Sequence, residues 1–367
     1  MKNRTPLVKI IGVGGCGCNT ISSIEKQYAE KLNENFEFYG VDTDFISLKN
    51  QSLKNKVEIG STGIGTAKDR MLGAQAAQES ADKLREILRD ADIVILSAGL
   101  SGGTGSGATG VIAHMAASDG AVVIASVTLP FYYDDNRKQE SAQEALKSIK
   151  EEVPVVMPVA NGEGVENENI SFLEVLRATD KNIICLIEMI NIVVNQAGYE
   201  NLDFSEFMKV ASTSGDAMIG IGEATGEQSL SLAINLARDS KSSSLSLKDA
   251  EKVALITMTA PDVSYKQIKD ARMTLQNEIN RQTEVYNGLY VDSAQEGAKV
   301  ILFATGINSQ KSLPHSTIET TEAGPMRQFD MDFFQDEGYF KGTDPTYIAG
   351  INYDKPTFIR RGVQIEK

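Results

Sequence analysis

The sequence predicts an α/β protein with a larger N-terminal domain built on a parallel sheet, a long central helix, a smaller C-terminal α/β domain and a flexible tail. Three observations lead there. Short apolar runs at residues 8–13, 93–96, 122–127 and 155–160 read as buried strands, and they alternate with helical stretches at the spacing of a parallel sheet covered on both faces. Residues 180–198 read as a helix that is apolar on more than one side, which suits burial between two domains. From about residue 205 the pattern changes to a helix and then to strands at 252–258 and 298–305, with a helix at 266–279 between them.

Composition bounds what such a chain does. Its 367 residues are enough for two cored domains, and a 41% hydrophobic content suits a soluble globular protein. The formal net charge of -14 argues against nucleic acid as a main partner. No apolar run has the length to span a bilayer, and the opening residues lead straight into a strand, so a cytoplasmic protein is expected. Three cysteines, two of them as Cys16-Gly17-Cys18, make no disulfide framework. With only His114 and His315 beside them, no protein-ligated metal is expected.

The first strand runs into Gly14-Gly15-Cys16-Gly17-Cys18-Asn19, ahead of a helix expected near Thr20. Gly12, Gly14 and Gly17 satisfy G-x-G-x-x-G, the dinucleotide fingerprint, and the strand at 36–41 ends at Asp42-Thr43-Asp44, where an acid can hold a ribose hydroxyl. An NAD-dependent enzyme is one reading of these residues. A polar, glycine-punctuated loop at 62–67 then precedes an alanine-rich helix expected over about 69–89.

The strand at 93–96 leads through Gly99 into Ser101-Gly102-Gly103-Thr104-Gly105-Ser106-Gly107-Ala108 and a helix carrying Val111 and Ile112. A buried strand that feeds a glycine-rich turn and a helix leaves backbone N–H groups unpartnered above the turn, where a polyanion binds. The glycines remove Cβ atoms that would hold a phosphate off the backbone, and Thr104 and Ser106 add hydroxyl donors. No lysine follows the glycines, so this is neither a Walker loop nor a kinase loop. Two glycine cradles suit a longer phosphate chain than the single pyrophosphate loop of an NAD enzyme.

This glycine, threonine and serine order resembles the signature loop of the tubulin/FtsZ superfamily, with Ser101 in place of its first glycine. The stretches IGVGGCGCN and VDTD are similar to that family's first loop and the segment after it, with Cys16 and Cys18 replacing glycines and Asp42 replacing asparagine. MIGIGEATGE (218–227) and FATGI (303–307) extend the likeness from Lys9 to about Asn308. The resemblance implies the tubulin/FtsZ fold: a Rossmann-like GTP-binding domain at 1–179, a core helix at 180–200, a GTPase-activating domain at 201–308, a linker at 309–350 and a partner-binding peptide at 351–367. It also implies GTP, GDP and Mg²⁺ as ligands, hydrolysis that depends on assembly, and head-to-tail protofilaments at a prokaryotic division site.

The same resemblance assigns nucleotide contacts residue by residue. They fall at Gly14, Gly15, Cys16 and Asn19, at Asp42, at Gly65 and Thr66 over the terminal phosphate, and at Gly99, Gly102, Gly103, Thr104, Gly105, Ser106 and Gly107. Further contacts are implied at Pro130, at Asp134 for ribose, at Lys138 for phosphate with Arg137 sharing that role, at Asn161 beside guanine and at Asp180 on its N–H edge. Arg177 stands near the place of the family's base-stacking aromatic, and Cys18 is expected to narrow the space for a backbone contact.

Asn201-Leu202-Asp203-Phe204-Ser205-Glu206-Phe207 resembles the family's activating loop, with Ser205 for alanine and Glu206 for the second aspartate. It implies that Asn201, Asp203 and Glu206 enter the nucleotide site of the next subunit. Two acids three apart at a helix start are also ordinary N-terminal capping. At the far end Asp354, Pro356, Phe358, Ile359, Arg360 and Arg361 resemble the peptide that binds membrane tethers and regulators, although Lys355 departs from the usual apolar residue. Two other classes stay open: a related filament that segregates DNA or positions structures, and, given Lys138, Glu206 and Arg177, a nucleotide-binding paralogue that does not hydrolyse.

Overall fold

A computed structural model describes residues 4–162, 169–178, 180–239, 245–293 and 295–307, together with two short strands at 347–348 and 351–352. The N-terminal half alternates strand and helix: β1 (Val8–Val13), α1 (Gly14–Tyr28), β2 (Phe36–Asp42), α2 (Phe45–Lys49), β3 (Asn55–Glu58), α3 (Arg70–Glu79), α4 (Ala81–Leu88), β4 (Ile93–Gly99), α5 (Gly103–Ser118), β5 (Val122–Leu129), α6 (Asn136–Glu152) and β6 (Val155–Ala160). Their spatial order is β3-β2-β1-β4-β5-β6, every neighbouring pair parallel. The order reverses between β1 and β4, and a doubly wound sheet binds its ligand in the crevice outside the carboxyl ends of the strands at such a point.

All residues of β1 and β4 are buried because helices cover both faces, and successive side chains enter opposite cores. Ile10, Ile95 and Ile124 join Ile21 and Ile24 of α1 on one face. Ile11, Leu96 and Ala125 meet Ile112 of α5 and Leu146 of α6 on the other.

The chain continues through α7 (Phe172–Ala178), α8 (Asp180–Asn195), α9 (Phe204–Ala211), β7 (Gly215–Ala224), α10 (Ser229–Arg238), β8 (Lys252–Thr259), α11 (Tyr265–Glu278), β9 (Glu284–Val291) and β10 (Ala298–Ile307). β7 pairs in parallel with β6 through Val155↔Gly215 and Val156↔Asp216, so both halves share one ten-stranded sheet. β10 lies antiparallel between β7 and β8, and β9 closes the edge parallel to β8. One face of this second half packs on α10 and α11. Its other face joins the core of the first half, where α8 contributes Ile183, Leu186, Ile187, Met189 and Ile190, all nearly inaccessible. The all-round apolar pattern of α8 is thus explained by packing on both sides.

Several elements differ from the sequence reading. α1 starts at Gly14 and α5 at Gly103, so most of both glycine-rich stretches is helix and not the turn before it. The alanine-rich helix is two helices, broken at Ser80, whose Oγ accepts the Gly60 N–H at 2.8 Å. β3, β7 and β9 escape notice because β3 is a polar four-residue edge and the other two are interrupted by Gly, Asp and Asn. Beyond residue 307 an antiparallel pair is described, β11 (Tyr347–Ile348) with β12 (Ile351–Asn352). The tail residues Asp354, Pro356, Phe358, Ile359, Arg360 and Arg361 lie outside the described residues.

Phe207 of α9 and Phe303 of β10 stack with centroids 6.1 Å apart, both fully buried in the core shared by the two halves. Phe303→Ala is expected to cost about 3–5 kcal/mol in denaturant unfolding. It should lower the midpoint of one common transition. Two separated transitions, with only the later one shifted, would contradict a shared core.

Candidate nucleotide site

Two helix N-termini meet at the switch point. α1 and α5 are 15 and 16 residues long, and neither N-cap, Val13 or Gly102, supplies a side-chain hydrogen bond. α2, α3, α6, α9 and α11 are capped by Asp44, Asp69, Asp135, Asp203 and Ser264, while α4 and α10, like α1 and α5, have no side-chain cap but do not start at the switch point. The first-turn N–H groups of α1 and α5 therefore remain for a ligand, with both helix dipoles favouring an anion.

Glycine allows the two ends to come together. A Cβ on Gly14, which has φ 71°, would lie 2.9 Å from Gly105 N. On Gly105 it would strike Gly99 O at 2.6 Å, on Gly107 Arg70 O at 2.0 Å, and on Gly103 Thr66 Oγ1 at 2.2 Å. At these positions the missing side chain makes room for other protein atoms, mostly backbone. Gly102 has nothing within 4 Å of such an atom, and Gly15 only Ser47 Oγ at 3.8 Å and Asp42 Oδ2 at 4.0 Å, so these two open on free space. A Cβ on Gly17 would sit 2.0 Å from Ser97 O, which locks α1 on β4.

Around this cradle the other predicted residues are placed as follows. Thr104 Oγ1 and Thr43 Oγ1 are 2.7 Å apart and buried. Asp42 Oδ1 accepts the Thr43 N–H at 2.8 Å, and burial raises its pKa against those hydrogen bonds. Gly65 N–H donates to Thr43 O at 3.1 Å, and Thr66 is buried beside Gly103. Asn19 is exposed and its Oδ1 accepts from Gln51 at 2.7 Å. Pro130 is buried at the end of β5; Asn161, half-buried, is tied there by its N–H to Leu129 O at 3.2 Å. Asp134 Oδ2 accepts the Phe131 N–H at 2.9 Å and Oδ1 pairs with Lys138 Nζ at 2.8 Å. Asp180 is buried at the start of α8 and accepts a hydrogen bond from Thr20 Oγ1 at 2.8 Å.

Cys16 and Cys18 divide their roles. Cys18 points inward, its Sγ 3.4 Å from Gly12 O and 3.6 Å from Val41 O, and burial pushes its thiol up to about 12. It fills the core under α1, so it does not narrow the ligand space. Cys16 faces the cradle side, where a Cβ on Gly99 would meet its Cβ at 2.7 Å. Crowding by protein, then the Asp180 carboxylate, raises its pKa, so it too stays a thiol.

Asn201, Asp203 and Glu206 are elsewhere. Asp203 Oδ1 caps α9 by accepting the Glu206 N–H at 2.8 Å, and Glu206 Oε2 accepts the Asp203 N–H at 3.1 Å, a closed capping box. Asn201 Oδ1 accepts the Gly198 N–H at 2.6 Å. Asp180 starts α8 on the nucleotide side and the acids follow its other end; 16 residues span about 24 Å. Within one chain the cradle and the acids are not brought together.

Sequence reasoning missed Thr20, which anchors Asp180, and the aromatic stack of Phe131 with Tyr133 (5.0 Å) and Phe172 (5.3 Å) beside Gly162. Spacing within one element does not reveal such contacts between elements. Among the described residues no three His, Cys, Asp or Glu gather into a metal site, and no helix is long and apolar enough to cross a membrane. An open cleft of about 860 Å³ near Arg4, Asn33 and Asn35 lies at the amino ends of the strands, the wrong end of a parallel sheet for its ligand.

A model of the Tubulin/FtsZ family, GTPase domain, matches residues 7–166. A cell division protein FtsZ of Helicobacter pylori (strain J99) is 31% identical over 82% of this chain and 79% of its own length. The chain belongs to the tubulin/FtsZ family. An FtsZ of Aquifex aeolicus is 29% identical over 83% of this chain and 84% of its own. The solved FtsZ dimer of M. jannaschii superposes with a TM-score of 0.73 at 26% identity, covering 84% of this chain and 90% of that one. The doubly wound sheet, central α8 and second α/β half are the tubulin/FtsZ fold, and the general reaction of this family is GTP hydrolysis.

Burial raises the pKa of Asp180, against the Thr20 hydrogen bond and the charge of Arg177. An acid whose folded pKa lies above its unfolded one costs stability while ionised, and the cost fades as pH falls through the raised value. Asp180→Asn should therefore have a higher denaturant midpoint than the parent at neutral pH, with the gap shrinking on acidification. A variant less stable at neutral pH, or a gap independent of pH, would contradict this.

Proposed function

We propose that this protein is a cytoplasmic GTPase that polymerises head to tail into cytoskeletal protofilaments of prokaryotic cell division, each site being completed by the acidic loop of the next subunit. The observation that carries this reading is the length of α8 between the cradle and the capping box. A carboxylate that cannot reach the phosphates of its own chain can reach those of a neighbour stacked along that axis. The relatives are named cell division proteins and one solved relative is a dimer, which supports self-association. Ile46, Ile64 and Met71, 70%, 83% and 71% exposed, crown the phosphate end and suit a surface covered by another subunit.

The chemistry follows from the groups present. The N-termini of α1 and α5 hold the phosphate chain, with Gly102 and Gly15 leaving their approach open. Asp42 and Asp134 are the ribose acids, Lys138 neutralises phosphate charge, and Asn161 with Asp180 reads the guanine edge. Mg²⁺ would supply further neutralisation of phosphate charge; the N–H groups of the cradle would hold the phosphates, and the cradle's hydroxyls, those of Thr104 and Ser106, are the protein oxygens that could face the ion. Asp203 is held below the usual carboxylate range by the Ser205 hydroxyl and then the Glu206 N–H, so it is ionised at neutral pH. Among the described residues the capping box uses Asp203 Oδ1 and Glu206 Oε2, which leaves each carboxylate an oxygen to orient the attacking water. The tail peptide would recruit membrane-tethering and regulatory proteins through Phe358 and Ile359.

Asp203→Asn keeps an N-cap residue and removes the charge. It should bind GTP within about twofold of the parent and hydrolyse it about a hundredfold more slowly or worse. Added to parent protein held too dilute to assemble, the variant should raise total hydrolysis, because its pockets are then closed by parental acids. Unchanged hydrolysis on addition, or normal turnover by the variant alone, would refute the shared site.

A further inference from the structure

The stretch 196–203 joins α8 to α9, and its two ends are held differently. Asp203 and Glu206 are fixed to α9 by their capping box, and Leu202, 1% exposed, is sunk in the shared core. Gly198, Tyr199, Glu200 and Asn201 stand ahead of that anchor and lean on β9, the edge strand of the sheet. Tyr199 N–H donates to Leu289 O at 2.9 Å, and Leu289 N–H donates to Glu200 O at 2.7 Å. The approach is close: a Cβ on Gly198 would lie 2.6 Å from Leu289 O, and one on Gly288 would lie 3.2 Å from Leu202 Cβ.

Glu200 and Leu289 form an isolated antiparallel bridge. Such a bridge is a pivot, because its bonds run across a single pair of residues and leave the loop free to turn about them. A second attachment off that axis stops the turning, and the Glu200 side chain supplies it: Oε2 accepts a hydrogen bond from Arg272 Nη2 of α11. Glu200 is thus held through its backbone by β9 and through its carboxylate by α11. Asn201, the next residue, keeps its Oδ1 on the Gly198 N–H at 2.6 Å, so its side chain is set by the same fold of chain. The side chains of Arg272 and Glu200 are 40% and 44% exposed, and an ion pair so open to water adds little to stability. What it controls is placement. In a site shared by two molecules the acids have to meet a phosphate in register, and a misplacement of about 1 Å costs about a hundredfold in rate.

We propose that Arg272 is a positioning residue for hydrolysis: by clasping Glu200 it fixes how Asn201 and Asp203 enter the site of the neighbouring subunit. This rests on the shared-site function proposed above. The test uses the full chain and measures GTP affinity, the threshold for sedimentation, and phosphate release per sedimented subunit. Arg272→Gln should leave affinity and threshold within about twofold of the parent and slow release per sedimented subunit about tenfold. Arg272→Lys should restore most of that rate, because the pair uses one guanidinium nitrogen and lysine keeps the charge. Glu200→Gln should match Arg272→Gln, and the double variant should be no slower than either, as expected when both changes break the same link. An unchanged rate per sedimented subunit, a loss that Arg272→Lys does not repair, or losses that multiply in the double variant overturn the clasp, while assembly-dependent hydrolysis by the parent leaves the shared site standing. Absence of assembly-dependent hydrolysis in the parent overturns the shared site and this inference with it.

Discussion

The structure depends on keeping the bare N-termini of two long helices in contact at the point where the sheet changes direction. Two positive helix ends brought together without side-chain caps favour an anion between them. Backbone packing holds them there: Gly14 against Gly105, Gly105 against Gly99, Gly107 against Arg70 and Gly17 against Ser97. Each contact leaves no room for a side chain, so the cradle is built by the fit of α1 and α5 to their strands. The ligand is then met by N–H groups that already point at it, and little reorganisation remains for binding.

α8 carries the second constraint. It is buried against both halves of one continuous sheet, with its first residue, Asp180, tied to α1 by Thr20 and its far end followed by the Asn201 and Asp203 segment. A rigid rod of that length fixes how far the acids stand from the cradle. The same rod transmits position, because α8, α9 and β10 share a core through residues such as Phe207 and Phe303. In the function proposed above, a hydrolytic site split between the ends of that rod is complete only where two molecules meet end to end.

Much of this was legible in the residues. Buried strands appear as uninterrupted apolar runs, and β1, β5, β6, β8 and β10 were read within a few residues of their bounds for that reason. The two glycine stretches marked the cradle, and the superfamily resemblance named the acids. The reason for the glycines was not legible, since a Cβ clash with Ser97 O or Arg70 O exists only once distant segments are packed. Nor was the part played by Cys18, which differs from Cys16 only in the helix face it occupies. β7 and β9 hid because their glycines and polar residues interrupt the pattern that burial imposes elsewhere.

The most direct measurement of the central claim is the rate of GTP hydrolysis per molecule across a dilution series, followed together with sedimentation. The account predicts negligible turnover below a threshold concentration and a steep rise above it, in step with the appearance of sedimenting polymer. A rate per molecule that stays constant to the lowest concentration, with no polymer at the highest, would contradict it.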